Sequence, residues 1–198
     1  MSPLLSAETV NSPEYWDGIY RANAFPTHDP SNIARYLVAA TLQRGDSALD
    51  LGCGQAGLGR VLLDQHAHLT YLGFDYSQAA LQSHCLPRNQ EGRWALWCGD
   101  CYELANELCG QEFGTVYLLE LLEHNFDPEA LLALAAGHAA ERIVISVPMH
   151  GILSYREHRG EHAWDFTDVE LDDLLRPHGA VGPRLLGNHL CWVVGVDR

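Results

Sequence analysis

The sequence of 198 residues is poor in positive charge. Lys and Arg together number 12 against 26 Asp and Glu, which gives a formal charge of −14 at pH 7. Proteins that bind nucleic acids need clustered basic side chains to contact phosphates. The charge balance therefore argues against a nucleic-acid partner and is compatible with a cationic ligand.

Long apolar runs and targeting signals are also missing. No run approaches the roughly 18 residues that span a bilayer, and the N-terminus has neither the basic nor the apolar segment of a signal peptide. Six cysteines are too few for a disulfide scaffold at this length. We therefore expect a soluble, cytoplasmic chain with reduced cysteines and no membrane partner; the sequence says nothing about the oligomeric state.

The apolar residues that are present indicate an α/β fold. They make up 47% of the chain, enough for one sizeable core. Apolar runs of strand length alternate with segments of helical periodicity, as in a parallel sheet with helices on both faces. We expect one domain over 1–198, with a helical N-terminal segment over 1–44 and a Rossmann-like core over 45–198.

Individual elements can be placed within this core. The predicted parallel strands, in chain order, cover 47–51, 69–74, 94–98, 115–119 and 142–147. Helices are predicted between them, and Thr167 begins a later helix in a capping box with Glu170. Two final apolar runs joined by Gly187 and Asn188 predict an antiparallel hairpin.

A glycine-rich turn follows the first predicted strand. Glycines at 52, 54, 57 and 59 between a strand and a helix allow a tight turn and a ligand close to the backbone. Asp50 distinguishes between two ligands, because its carboxylate would repel a pyrophosphate and attract the ammonium and sulfonium of S-adenosylmethionine. A nicotinamide cofactor is therefore a distant alternative.

Two further acids follow the next strands. Asp75 lies 21 residues after Gly54, the spacing at which a carboxylate accepts hydrogen bonds from ribose hydroxyls. Asp100 follows the third strand, where it either accepts from an adenine amino group or caps the next helix. Together these acids predict a site for an adenosine compound.

These motifs carry a family resemblance. LDLGCGQAGLG, FDYS at 74–77, CGD at 98–100 and LLELLEHNFDP at 118–128 resemble class I S-adenosylmethionine-dependent methyltransferases of the small type-11 and type-12 kind. The resemblance implies the strand order 3-2-1-4-5-7-6 and an N-terminal lid over the cofactor. It also implies a set of cofactor-binding residues: Asp50, Gly52, Gly54, Gly57, Asp75, Tyr76, Asp100, Cys101 and Glu120, with Tyr15 and Tyr20 from the lid.

Acids and histidines are expected to gather at the rim of this site. Glu120, Glu123 and His124 follow the fourth strand, and His162 lies in the loop after the fifth, so all would lie at the carboxyl edge of the sheet. Such a set suits Mg²⁺, Mn²⁺ or Fe²⁺, and it resembles the metal site of small-RNA 3′-terminal 2′-O-methyltransferases. Acid–base catalysis without a metal is the alternative, with His124 or Glu123 as the base and His162 assisting. Two further histidines are rim candidates: His150 and His158.

The sequence thus predicts a methyltransferase that acts on a small molecule by in-line displacement. Two alternatives stay open: metal-assisted 2′-O-methylation of an RNA 3′ end, and a protein that binds S-adenosylmethionine without catalysis. The spacing Cys98-x-x-Cys101 resembles half of a zinc site, but no second pair completes four ligands. We therefore interpret these cysteines as structural.

Overall fold

The computed structural model describes residues 11–22, 30–148, 162–164, 166–186 and 189–196. Seven strands are found in these ranges: β1 (Ser47–Leu51), β2 (Thr70–Asp75), β3 (Trp94–Cys98), β4 (Phe113–Leu119), β5 (Ala139–Pro148), β6 (Ala180–Leu186) and β7 (His189–Gly195). They form one sheet in the order β3-β2-β1-β4-β5-β7-β6. The first five strands are parallel, and β7 pairs antiparallel with both β5 and β6. The predicted topology is confirmed.

Seven helices connect or precede these strands: α1 (Pro13–Arg21), α2 (Pro30–Thr41), α3 (Gly57–Gln65), α4 (Gln78–Gln82), α5 (Cys101–Leu108), α6 (Pro128–His138) and α7 (Asp168–Leu175). Local sequence explains several of their starts. The Ser77 hydroxyl accepts from the backbone of α4, and Thr167 and Glu170 form the predicted capping box at α7. No helix in the described ranges combines the length and apolarity needed to cross a membrane.

Buried side chains alternate between the two faces of the sheet. Leu49 and Leu51 on β1 pack with α5, α6 and α7, whereas Ala48 packs with α2 and α3 on the opposite face. Because side chains alternate along a strand, Asp50 lies on the same face as Ala48. This face also holds the buried rings of Tyr71 and Tyr117.

The predicted element boundaries differ from the structure mainly around β5. This strand begins at Ala139, where the sequence pattern continued the preceding helix to about residue 140. Ala139 is fully buried and pairs with Phe113 of β4, so packing overrides the helical propensity of alanine. The predicted hairpin turn at Gly187 and Asn188 lies outside the described residues, although β6 and β7 pair as predicted.

Candidate functional site

The turn after β1 lies at the carboxyl edge of the sheet. Gly52 and Gly54 have φ values of +70° and +54°, a backbone region that residues with a Cβ rarely adopt. The N–H groups of Gly52 and Cys53 both donate to the carbonyl of Phe74, at 2.8 and 3.0 Å. These hydrogen bonds hold the ends of β1 and β2 side by side, where open α/β sheets bind their ligands.

Two other segments contact this glycine turn. A Cβ added to Gly52 would lie 2.8 Å from Leu121, which follows β4. A Cβ added to Gly54 would lie 2.6 Å from the hydroxyl of Tyr20 on α1. The glycines thus let the turn after β4 and the predicted lid approach the ligand-binding edge closely.

Gly57 has a different neighbour. A Cβ at this position would lie 2.4 Å from the ring of Tyr36 on α2. Packing between α2 and α3 is sufficient reason for this glycine. Its contact with a cofactor, which the motif implies, stays a prediction.

Asp75 accepts two backbone hydrogen bonds at the end of β2. The N–H of Gly54 donates to Oδ2 and that of Ser77 to Oδ1, both at 2.8 Å. Burial raises the pKa of Asp75 to about 6, although these hydrogen bonds lower it. Each carboxylate oxygen has a second lone pair, so the group can still accept from ribose hydroxyls.

Asp50 is buried beside the same turn. The Tyr71 hydroxyl donates to its Oδ2 at 2.7 Å. Burial raises the pKa of Asp50 to about 7, against the opposing effects of this hydrogen bond and of the Arg35 charge. A partly neutral acid at this position gains its full charge only near or above neutral pH.

The third acid is a helix cap in the structure. Asp100 accepts from the N–H of Tyr102 at 2.9 Å and begins α5. Cys101 is half-buried, and burial raises the pKa of its thiol to about 12. The Tyr76 hydroxyl donates to the carbonyl of Asn11. Asp100 therefore caps a helix, which was one of its two predicted roles. The predicted contacts of Asp100, Cys101 and Tyr76 with a cofactor stay predictions.

Helix α1 is attached to the cofactor side of the sheet by an acid that the sequence analysis missed. Asp17 Oδ1 accepts from the Ser77 hydroxyl at 2.8 Å and from the N–H of Ala79 at 2.9 Å. These backbone and hydroxyl hydrogen bonds lower the pKa of Asp17 below its ordinary value. The predicted lid thus rests on the start of α4, next to Asp75.

The other end of this segment contacts the turn after β4. The Asn11 side chain donates to the carbonyl of His124 at 2.7 Å. The Trp16 ring lies edge-on to the His124 imidazole, with centroids 5.0 Å apart, and Tyr15 packs against Trp16 in the same manner at 5.5 Å. The lid therefore joins the glycine turn to the histidine at the rim.

Glu120 is held by residues outside the predicted metal-ligand set. Its Oε2 lies 3.0 Å from His189 Nε2 and 3.5 Å from Arg35 Nη1, and its Oε1 accepts from the Ser146 hydroxyl at 2.8 Å. Burial alone would raise the pKa of Glu120, but His189 and Arg35 lower it below the ordinary value. Three buried partners hold this carboxylate, and the group of possible metal ligands found among the described residues does not include it. The role of Glu120 as a metal ligand stays a prediction.

Glu123, His124 and His162 do come together, in a group that we call the rim cluster. One possible ligand atom from each residue lies within 4.8 Å of the others. Glu123 Oε1 is 3.9 Å from His124 Nε2, and the two imidazoles meet edge to face at 4.8 Å. Glu123 is 2% exposed, and neither of its carboxyl oxygens has a hydrogen-bond partner among the described residues. Burial raises its pKa well above the ordinary value, and the charge of Glu120 adds to this effect.

Backbone hydrogen bonds next to His162 attach this segment to Glu123, which lies 39 positions before His162. The N–H groups of Ala163 and Trp164 both donate to the carbonyl of Glu123, at 2.8 and 3.0 Å. The Trp164 indole donates to the carbonyl of Asn125 at 2.7 Å. Two other predicted rim residues lie outside the described residues: His150 and His158.

A family model matches the part of the chain that forms this site. The family model for a methyltransferase domain matches residues 49–142, which include the glycine turn, all three acids and the turn after β4. The chain is thus similar to methyltransferase domains over just under half of its length. No curated protein matches its sequence significantly.

Solved methyltransferase structures share its fold. An O-methyltransferase family protein from Burkholderia thailandensis is 15% identical, with a TM-score of 0.64 over 93% of this chain and 59% of its own length. A putative O-methyltransferase from Nostoc punctiforme is 16% identical, with a TM-score of 0.73 over 98% of this chain and 64% of its own. The chain thus spans about three fifths of the length of these two proteins.

A third structure was solved with the demethylated cofactor. The plantazolicin methyltransferase BpumL in complex with S-adenosylhomocysteine is 14% identical, with a TM-score of 0.67 over 93% of this chain and 90% of its own.

Two residues of the candidate site were not predicted from the sequence. Arg35 is 8% exposed on α2, and His189 is 8% exposed at the start of β7. A signal for Arg35 existed, since it lies one helical turn before the buried Ala39 and is thus on the apolar face of its helix. No local pattern points to His189, because only the antiparallel insertion of β7 brings it beside Glu120.

Proposed function

We propose that the protein transfers the methyl group of S-adenosylmethionine to a small-molecule acceptor. One observation carries the proposal: Arg35 is a buried cation close to two buried acids, 3.5 Å from Glu120 and near enough to lower the pKa of Asp50. The Nε of Arg35 has no hydrogen-bond partner among the described residues. This arrangement matches the methionine end of the cofactor, which carries an ammonium, a sulfonium and a carboxylate.

Each part of the cofactor has a matching group. In this proposal Arg35 Nε receives the carboxylate, and Asp50 and Glu120 face the ammonium. Asp75 accepts from the ribose hydroxyls, while the positive-φ turn at Gly52 and Gly54 lets the ligand lie against the backbone. The bound cofactor supplies an electrophilic methyl group on its sulfonium.

The rim cluster supplies the base where the acceptor must lose a proton. The nucleophilic atom of the acceptor bonds to the methyl carbon as the carbon–sulfur bond breaks, and its proton passes to His124. Glu123 is assigned a supporting role, because burial raises its pKa well above the ordinary value and favours its neutral form. It lies 3.9 Å from the imidazole that receives the proton.

The net charge of the protein favours a small acceptor over a nucleic acid. A formal charge of −14 offers no favourable field for a polyanion. The buried arginine of the candidate site, Arg35, already lies 3.5 Å from the Glu120 carboxylate. We therefore place a neutral or cationic small molecule ahead of an RNA end as the acceptor.

Metal-assisted transfer, for which the predicted acceptor was an RNA 3′ end, is the second candidate. One carboxylate and two imidazoles fit a divalent ion with open coordination positions, and the unpartnered oxygens of Glu123 favour this candidate. Glu123, His124 and His162 would hold the ion. It would lower the pKa of an acceptor hydroxyl as a Lewis acid.

Cofactor binding is the first test. Calorimetry should show binding of S-adenosylmethionine and S-adenosylhomocysteine and none of NAD. Asp75→Ala should weaken binding by on the order of 1–3 kcal/mol, as for lost hydrogen bonds to a charged group. Arg35→Met should weaken binding of S-adenosylhomocysteine more than that of adenosine, which lacks the carboxylate. Equal losses for both ligands would remove Arg35 from the proposal.

Turnover separates the mechanisms. Labelled cofactor incubated with a metabolite extract should yield a labelled small product, and its absence would favour the binding protein without catalysis. His124→Ala should slow transfer by roughly 10²–10⁴-fold if the histidine is a base, with no effect of chelators. About one equivalent of bound divalent ion, lost in His124→Ala and in chelator, would instead establish the second candidate.

A further inference from the structure

Tyr71 is a fully enclosed side chain that makes a hydrogen bond to an acid of the cofactor site. It lies on β2, next to the strand that carries Asp50, and its hydroxyl donates to Asp50 Oδ2 at 2.7 Å. The two side chains are 2% and 3% exposed. Tyr71 thus occupies one of the two carboxylate oxygens of Asp50.

Two glycines leave the space that the Tyr71 ring occupies. A Cβ at Gly59 on α3 would lie 2.5 Å from the ring, and one at Gly73 would lie 2.9 Å from its hydroxyl oxygen. Real Cβ atoms do not approach other atoms so closely. The last glycine of the motif therefore accommodates a tyrosine ring, and this ring has little freedom to move.

We propose that Tyr71 is a positioning residue, whose hydroxyl holds the Asp50 carboxylate ionised and oriented toward the cationic methionine end of the cofactor. The inference rests on the proposed function. It adds to it a residue that touches neither cofactor nor acceptor and acts only through Asp50.

The surroundings of Asp50 explain why such help is needed. Burial raises the pKa of Asp50 to about 7, and the Tyr71 hydrogen bond is the largest effect in the opposite direction. Among the described residues, one of the charged or titratable groups around Asp50 is a cation. These groups are Arg35 and Tyr36 on α2, Cys53 in the glycine turn, Tyr71 and Asp75 on β2, and Tyr117 on β4.

The test compares pH profiles of cofactor affinity. The dissociation constant of S-adenosylhomocysteine is measured by calorimetry from about pH 6 to about pH 9 for the wild type and Tyr71→Phe. At each pH we compare the dissociation constant of the variant with that of the wild type as a ratio. The titration of the ligand amine affects both constants equally and therefore cancels. The ratio should be roughly tenfold at about pH 6.5 and fall toward one at about pH 9, since losing one such hydrogen bond raises the pKa of the acid by about one.

A matched control separates positioning from packing. Tyr117→Phe removes another buried hydroxyl on the neighbouring strand β4, one that donates to Gln43 Oε1 at 2.9 Å. Its ratio to the wild type should stay constant with pH. A ratio for Tyr71→Phe that is equally constant would mean that the tyrosine only fills space, and the inference would be overturned.

A second pair of variants keeps the hydroxyl. Gly59→Ala should displace the Tyr71 ring and give the same pH-dependent loss, whereas Gly137→Ala on α6, with open space around its Cβ, should not. If Asp50→Asn binds S-adenosylhomocysteine as tightly as the wild type, the inference about Tyr71 is overturned. Binding by the wild type in the same experiment still supports the proposed function. Absence of binding in the wild type would refute both.

Discussion

At the scale of single residues, the site is assembled from acids that are costly to bury. Asp50, Asp75 and Glu123 all have pKa values raised by burial. A group with a raised pKa binds a proton more tightly in the folded state than in the unfolded state. For an acid, this means that folding becomes less favourable as the pH rises past the ordinary pKa of the group.

Asp50 gives the clearest prediction of this cost. Between its ordinary pKa of 3.8 and its folded value of about 7, folding takes up a proton, so its contribution to stability falls as the pH rises through this window. Asp50→Asn removes the cost and keeps an acceptor for Tyr71. The variant should be more stable than the wild type by on the order of 1–3 kcal/mol at about pH 8, with the difference vanishing toward about pH 4.

Urea unfolding of the ligand-free protein at several pH values measures this difference. The same variant should bind S-adenosylhomocysteine more weakly at about pH 8, which would show stability and function in opposition at one residue. Destabilisation at every pH would contradict the assigned cost of the buried acid.

Residue-level reasoning from sequence succeeded where a local pattern determines the position. The glycine turn, Asp75 and the pair Glu123 and His124 were found because motif and strand end coincide. The partners of Glu120 were not found, since Arg35 precedes it by 85 residues and His189 follows it by 69. The partners of a buried acid therefore depend on residues that lie far away in the sequence, and local patterns do not show them.

At the scale of elements, α1 is the segment whose attachment can be tested. Asp17 holds it to α4 through Ser77 and Ala79. Asp17→Ala should loosen the lid and speed dissociation of S-adenosylhomocysteine by roughly three- to tenfold, the value of about one hydrogen bond. Stopped-flow displacement measures this rate.

Glu14→Ala is the control for this prediction. Glu14 is an exposed acid on the same helix, so its replacement removes equal charge without touching α4. Equal dissociation rates for the two variants would mean that charge rather than attachment matters.

The elements themselves were largely predictable. The limits of β1 and β3 match the sequence prediction, because turn residues and capping residues bound both strands. Boundaries shifted at β4 and β5, where Phe113 and Ala139 extend the pairing of the two strands beyond their polar flanks. Pairing between strands adds residues that periodicity alone leaves out.

At the scale of the whole molecule, the net charge predicts that the protein binds polyanions weakly. A mobility-shift titration with a small RNA duplex at about physiological salt should show no tight complex, because few phosphates can be neutralised. A protein whose excess is 14 negative charges instead repels the duplex at long range. A sub-micromolar complex that weakens with salt would favour the RNA-end candidate over the small-molecule one.

The position of β7 in the sheet affects how the protein folds during synthesis. It is the seventh strand in chain order but lies inside the sheet, between β5 and β6. A nascent chain that has made only five strands therefore exposes the unpaired backbone of β5 along an apolar edge, which invites association with other chains. His189 lies on β7, so Glu120 acquires its imidazole partner only when β7 inserts beside β5. The candidate site therefore starts to form at the glycine turn, yet it is complete only after the ribosome has added residue 189.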